Sequence, residues 1–314
     1  MDRPDRHIGI TAPGQLTYMS VRNAPSASSA LSPKTKLSPR RRAQRVRVVQ
    51  YVVFVAVIGL IIWAANWPLI GSVFFRPDML LRTLTNMAVW APGTPPTMVS
   101  GMLLAIFNTI AYSVGGFALG LLLGTVLALM KLSSVGPYRW VGMLYTEIFR
   151  GLPALIVLLI FGNLSVAFPG LRFPLDPYGT IWLALGIVYA AYMSETIRAG
   201  IQAVPKGQIE AARTLGMSPG LATRRIVLPQ AFRIITPPLT NELISMVKDS
   251  SLVYILGLSA SSFELTKYGR DLTNTTANLS PLMLAGLCYL LITVPLGFLV
   301  RRLEARNNAR GGNK

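Results

Sequence analysis

The chain has 314 residues, 52% of them hydrophobic and only 13% charged, about half the charged fraction of an ordinary soluble domain. A water-soluble globule is excluded, and the formal net charge of +18 points to nucleic acid, anionic lipid or cytoplasmic membrane loops. One cysteine, Cys288, and one histidine, His7, exclude a disulfide framework, a Cys/His zinc site and any Ser-His or Cys-His nucleophile pair.

In chain order, residues 1–45 are rich in Ser, Pro, Arg and Lys without periodic apolar content. Such a segment buries too little surface to offset its ordering entropy and is expected to be a disordered basic tail. An apolar run follows, giving an N-terminal transmembrane anchor over 46–68. It ends in Trp63 and Trp67, which suit the membrane interface better than a small-residue cleavage site.

Pro92, Gly93, Pro95 and Pro96 break the next uncharged stretch. A helix needs about 20 apolar residues to cross hydrocarbon, and the runs that meet this lie near 48–67, 98–130, 141–167, 178–200, 231–258 and 281–300. The expected fold is therefore an all-α polytopic membrane helix bundle with six transmembrane helices. Five of them form a transmembrane domain over 98–303, followed by a tail over 304–314.

Lys and Arg fix the orientation, because positive loops stay in the cytoplasm. With the N-terminus inside, the cytoplasmic segments hold eighteen basic residues and the opposite side five, namely Arg76, Arg82, Arg172, Lys267 and Arg270. Both termini are expected in the cytoplasm. The positive charge is thereby explained without nucleic acid.

The longest ordered cytoplasmic connection, 203–230, reads as two short helices. Pro205 opens the first, Gly216 supplies a left-handed position after its end, Ser218 and Pro219 start the second, and Pro229 stops it. Ile209, Ala212 and Leu215 recur at about one turn and give the first helix an apolar face.

Glu210-Ala211-Ala212, then Gly216, Ile226 and Leu228-Pro229 resemble, at the usual spacing, the EAA loop of ABC importer permeases. The flanks, Tyr192 to Gly207 and Pro237 to Leu252, and the earlier segment Glu147 to Pro153 resemble the polar amino acid (histidine/glutamine-type) permeases. The resemblance covers about residues 100–303. It implies a permease subunit of an ATP-driven importer, whose EAA loop docks a separate ABC ATPase subunit. It also implies a second permease chain, identical or similar, and an extracytoplasmic amino acid-binding protein, in the plasma membrane of a prokaryote.

The chain has no G-x-x-x-x-G-K-[ST] run and cannot cradle nucleotide phosphates by that route. ATP is expected to be hydrolysed by the partner. No enzymatic activity, cofactor or metal is expected of this chain.

Ionisable residues inside spans cost several kcal/mol unless paired or facing water. The substrate-pathway candidates are Arg150, Glu195, Glu242, Lys248 and Asp249. Arg150 is three residues from Glu147, so it either pairs with it or holds a substrate carboxylate; Glu195 has the same spacing to Arg198. Pro237 and Pro238 suggest a broken fifth span. Glu242 there either meets an amino or cationic substrate group near midplane, pairs with Lys248, or satisfies freed backbone.

Overall fold

A computed structural model describes residues 39–89, 98–171 and 173–311. Most of the expected tail, and the breakers at 92–96, lie outside the described residues. The chain forms two compact units, Met1–Ala65 and Asn66–Lys314.

In the first unit, helix α1 runs Pro39–Ala64. It starts at Pro39 rather than near 46, because proline suits a first helical position and arginine is a good helix former. Arg40, Arg41, Arg42, Arg45 and Arg47 thus stand on helix.

The second unit opens with α2 (Trp67–Phe74) and α3 (Pro77–Thr85), each with proline in its first turn. An antiparallel pair of three-residue strands, β1 (Met87–Val89) and β2 (Met98–Ser100), follows and leads into α4 (Gly101–Leu132). Then come α5 (Gly136–Gly151), α6 (Ala154–Gly162), α7 (Leu164–Ala167) and α8 (Tyr178–Gln202). The short helices α9 (Lys206–Thr214) and α10 (Pro219–Ala222) precede a π-helical turn, Thr223–Val227. Helix α11 (Leu228–Asp249) ends in a 3-10 segment, Ser250–Leu256. After a second 3-10 turn, α12 (Leu265–Thr276) and α13 (Ser280–Gly311) complete the unit.

Among the described residues four helices are long and apolar enough to cross a membrane, α1, α4, α8 and α13, or five if α5 and α6 form one span. The expected straight span 141–167 is replaced by α5 and α6, bent by 99°. Pro153 has no N–H and forces Leu152 into an extended conformation, φ −88° and ψ 135°, so the helix must stop there. The expected break at Pro237 and Pro238 is absent: α11 runs through both, and regular helix ends only at Ser250.

The bundle is organised by α4 and α8, which run parallel. Trp182 Nε1 donates to the Ala111 carbonyl at 2.8 Å near their starts, and Lys131 Nζ reaches Glu195 Oε1 at 2.7 Å near their ends. Glycines make this approach possible. A Cβ on Gly116 would stand 3.0 Å from Leu185 Cβ, one on Gly120 3.3 Å from the Gly186 carbonyl, and one on Gly124 3.2 Å from the Ser194 nitrogen. Small residues at every fourth position let two backbones touch, which drives association where lipid removes the hydrophobic force.

Because α4 and α8 are parallel, the segment between them must lead from one end of the bundle to the other, and the bent α5–α6 pair does so. Helix α11 returns antiparallel to α8: Ile235 packs against Gly200, while Asp249 meets Tyr189 at 2.9 Å.

The buried core gathers on α4, α6, α8 and α11 around Tyr112, Leu158, Leu185, Tyr189, Met193 and Met246. A second cluster joins Met102 and Ala105 to Leu265, Tyr268 and Cys288. There the connection between α11 and α13 is tied down by polar bonds: Asn108 Nδ2 donates to the Ser261 and Phe263 carbonyls at 3.0 and 2.9 Å, and Tyr112 Oη to the Ser262 carbonyl at 2.7 Å. Glu264, fully buried, caps α12 by accepting from the Lys267 amide at 2.7 Å and also accepts from Tyr289 Oη at 2.8 Å. Burial pushes its carboxyl up to about 7, against the lowering effect of those donors.

Candidate functional site

The loop of α9 and α10 is built by local chemistry. Pro205 caps α9, and Gly216 adopts φ +84°, a conformation that side chains disfavour. The Gly216 amide donates to the Arg213 carbonyl at 3.0 Å and the Met217 amide to the Ala212 carbonyl at 3.1 Å, the Schellman pattern that closes a helix. Ser218 Oγ accepts from the Leu221 amide at 3.4 Å, and Pro219 takes the first helical position.

Pro229 does not end the second helix. It lies in the first turn of α11, where its missing N–H is no loss, and the π turn joins α10 to α11 without a gap. The loop is therefore continuous in helical backbone with α11.

The motif residues divide by exposure. Ala212 is buried, Ile226 half-buried, and Glu210, Ala211, Gly216, Leu228 and Pro229 exposed. Val204, Val227 and Ala231 pack with Ile201 and Ile209 beneath the loop, and Gln230 Nε2 donates to Gln208 Oε1 at 2.6 Å. Leu215, expected on the inner face with Ile209 and Ala212, is instead 85% exposed, because α9 ends at Thr214 and its cap turns the chain outward.

The ionisable candidates separate into two places. Glu195 accepts from Lys131 Nζ at 2.7 Å and from Arg198 Nη2 at 2.7 Å, and Lys131 also donates to Ser194 Oγ at 3.0 Å. Arg198 was expected from spacing; Lys131, on another helix, was not. This cluster locks α4 to α8.

Glu242 and Asp249 line a cavity of about 180 Å³ with Ala154, Val188, Tyr189, Tyr192 and Ser245. Glu242, Ser245 and Asp249 share one face of α11 by their spacing of three and seven. Asp249 Oδ2 accepts from Tyr189 Oη at 2.9 Å. Lys248 is exposed, lies outside this cavity and makes no ion pair with Glu242 among the described residues.

Arg150 makes no ion pair with Glu147 among the described residues. Its guanidinium lies 5.7 Å from the centre of the ring of Tyr192, a residue that lines the cavity. The cavity thus collects two carboxylates, a serine hydroxyl and two phenols from α8 and α11. The described residues contain no group of three or more His, Cys, Asp or Glu able to hold a metal ion.

Residues 116–308 match the family described as the binding-protein-dependent transport system inner membrane component. The chain belongs to this family. Its members are transport components of the membrane rather than catalysts. The arginine transport system permease protein ArtQ of Bacillus subtilis is 39% identical over 190 residues, covering 60% of this chain and 84% of that protein. The glutamate/aspartate import permease protein GltK of Escherichia coli O6:H1 is 35% identical over 224 residues, covering 69% and 97%.

Among solved structures, an amino acid ABC transporter crystallised with histidines is similar at a TM-score of 0.59 and 35% identity, over 66% of this chain and 94% of that chain. A bacterial alginate ABC transporter, in complex with an alginate pentasaccharide-bound periplasmic protein, shares the fold at a TM-score of 0.52 and 15% identity, over 84% and 98%. The resemblance of residues 100–303 to ABC importer permeases of amino acids is borne out.

Proposed function

We propose that this chain is the permease subunit of an ATP-driven importer of polar amino acids. It couples to a separate ABC ATPase through Glu210, Ala211, Ala212, Gly216, Ile226, Leu228 and Pro229. The observation that carries the coupling role is the loop itself, a capped pair of helices running without interruption into the helix that lines the charged cavity.

In this reading α1 is an added anchor, the core has five crossings and both termini are cytoplasmic. Two permease chains meet two ATPase subunits, and an extracytoplasmic binding protein delivers substrate. The chain itself hydrolyses nothing and carries no cofactor. Glu242, Asp249 and Arg150 face the substrate path, whereas Glu195 holds α8 to α4.

Gly216→Val tests the coupling role, since a β-branched residue at φ +84° is strained. The variant is expected to reach the membrane at wild-type levels, yet copurify poorly with the ATPase and lose about tenfold or more in uptake, the effect of roughly 1.4 kcal/mol or more. Full uptake at equal expression would show that the loop does not couple.

A further inference from the structure

We propose that the arginines at the start of α1 bind anionic phospholipid headgroups of the cytoplasmic leaflet, so that the anchor gathers a collar of negatively charged lipid. The proposal rests on the reading of α1 as a membrane anchor with a cytoplasmic N-terminus, and goes beyond it by naming what the charges meet.

Arg40, Arg41, Arg42, Arg45 and Arg47 all stand in the first three turns of α1, and the helix carries no acidic residue. The sequence has neither Asp nor Glu between Asp5 and Asp78, and among the described residues no ion pair involves α1. Every side chain from Ala43 to Ala64 is exposed. The helix and its neighbours in sequence supply no counterion, so the cluster calls for an external anion.

Depth decides which anion. With Trp63, 83% exposed, at the outer interface, a hydrocarbon layer of about 30 Å ends about 20 residues earlier, near Ala43. Arg40, Arg41 and Arg42 then stand at headgroup level, and Arg45 and Arg47 start just inside the hydrocarbon. Cα–Cβ bonds tilt toward the N-terminus of a helix, here toward the cytoplasm, so these two long side chains rise to the phosphates. Arg45 shares a face with Val48 and Val49, a polar head above an apolar wall, as a lipid carries its headgroup above its chains. A nucleic acid or an acidic soluble protein does not enter to this depth.

Chemistry narrows the lipid. All five basic residues are arginine, whose planar guanidinium takes two phosphate oxygens at once. A zwitterionic headgroup carries its own ammonium beside the phosphate and leaves the positive charge of the cluster unbalanced, whereas an anionic one such as phosphatidylglycerol neutralises it. The positive end of the α1 dipole lies at the same level and adds to the attraction. The attraction of anionic lipid to basic residues beside a span grows with each charge added.

A fluorophore on Ala43→Cys reports which lipids gather around α1, since the native Cys288 is buried. The full chain is placed in phosphatidylcholine vesicles with a trace of phosphatidylglycerol or phosphatidylcholine carrying a quencher on its acyl chain. Phosphatidylglycerol is expected to be enriched at the fluorophore about fivefold or more over phosphatidylcholine, and less so at about 1 M salt, where charge is screened beyond about 3 Å. Changing all five arginines to glutamine should lower this preference about threefold or more, and changing them to lysine should keep it within about twofold. If the glutamine variant does not insert, Arg45→Gln together with Arg47→Gln carries the same comparison.

Equal quenching by the two lipids, or a preference that survives the change to glutamine undiminished, overturns the proposal. If the lipids quench equally while labelled RNA binds the arginine chain and not the glutamine variant, the cluster serves nucleic acid and the lipid contact is refuted. Reaction of Ala43→Cys with an impermeant maleimide outside intact cells would overturn the orientation on which the proposal rests. Absence of lipid preference with Ala43→Cys shielded in cells overturns the lipid contact alone.

Discussion

Gly124→Leu is expected to abolish recovery of folded protein. A Cβ at this position would already lie 3.0 Å from Met193 Cβ, 3.1 Å from the Ala190 carbonyl oxygen and 3.2 Å from the Ser194 nitrogen. Two of these three atoms are backbone and cannot turn aside. Leucine adds three further carbons, so α4 and α8 must separate along their closest seam.

That separation also breaks contacts on either side of the glycine, Trp182 to Ala111 and Lys131 to Glu195. Overpacking alone costs about 1 to 3 kcal/mol, and the lost polar contacts add to it where no water replaces them. Size-exclusion chromatography of the detergent-extracted chain checks this, with a shift from a single peak to aggregate expected. Gly286→Leu is the control, since nothing lies within 4 Å of a Cβ there. Equal monodisperse yields of the two variants would contradict the role given to the glycine stripe.

Lys131→Met is expected to lower thermal stability markedly. The Lys131 side chain is only 4% exposed, and its ammonium is shared between Glu195 and Ser194. Removing one partner of a buried pair costs about 3 to 5 kcal/mol. Here the carboxylate is 31% exposed and keeps Arg198, so solvent screening reduces the expectation to about 1 to 3 kcal/mol.

The double variant Lys131→Met with Glu195→Gln should regain part of the loss, because the uncompensated charge goes with its partner. Melting of the purified complex reads both effects. Unchanged melting in the single variant, or strict additivity in the double, would mean that the cluster does not tie α4 to α8.

The loop was legible in the sequence because capping is local chemistry. Pro205, Gly216 and the Ser218-Pro219 pair each act within one turn, and the structure uses them where the sequence puts them. Leu215 was misplaced by helical periodicity, which does not register that the helix has ended one residue earlier.

Partners on other helices were not legible. The Glu195 to Arg198 contact follows from spacing, whereas Lys131, 64 residues away, required the parallel packing of α4 and α8. The spacing of Glu147 and Arg150 suggested a pair, but Tyr192 on α8 draws the guanidinium instead. Likewise Glu242 and Asp249 stand out as charges in an apolar chain, while Tyr189 and Tyr192, which complete the cavity, look like ordinary core aromatics.

Prolines misled in both directions. Pro153 breaks the chain by 99° where an unbroken span was expected, and Pro237 and Pro238 break nothing. The difference lies in the preceding residue: Leu152 is extended, whereas the residues around Pro237 stay helical within a packed α11.

The most direct test of the account is uptake into proteoliposomes holding this chain and its ATPase, with the binding protein outside and radiolabelled arginine as probe. The account predicts accumulation that requires ATP on the ATPase side and is abolished when the ATPase subunit is omitted. Accumulation driven by an ion gradient without the ATPase would contradict it.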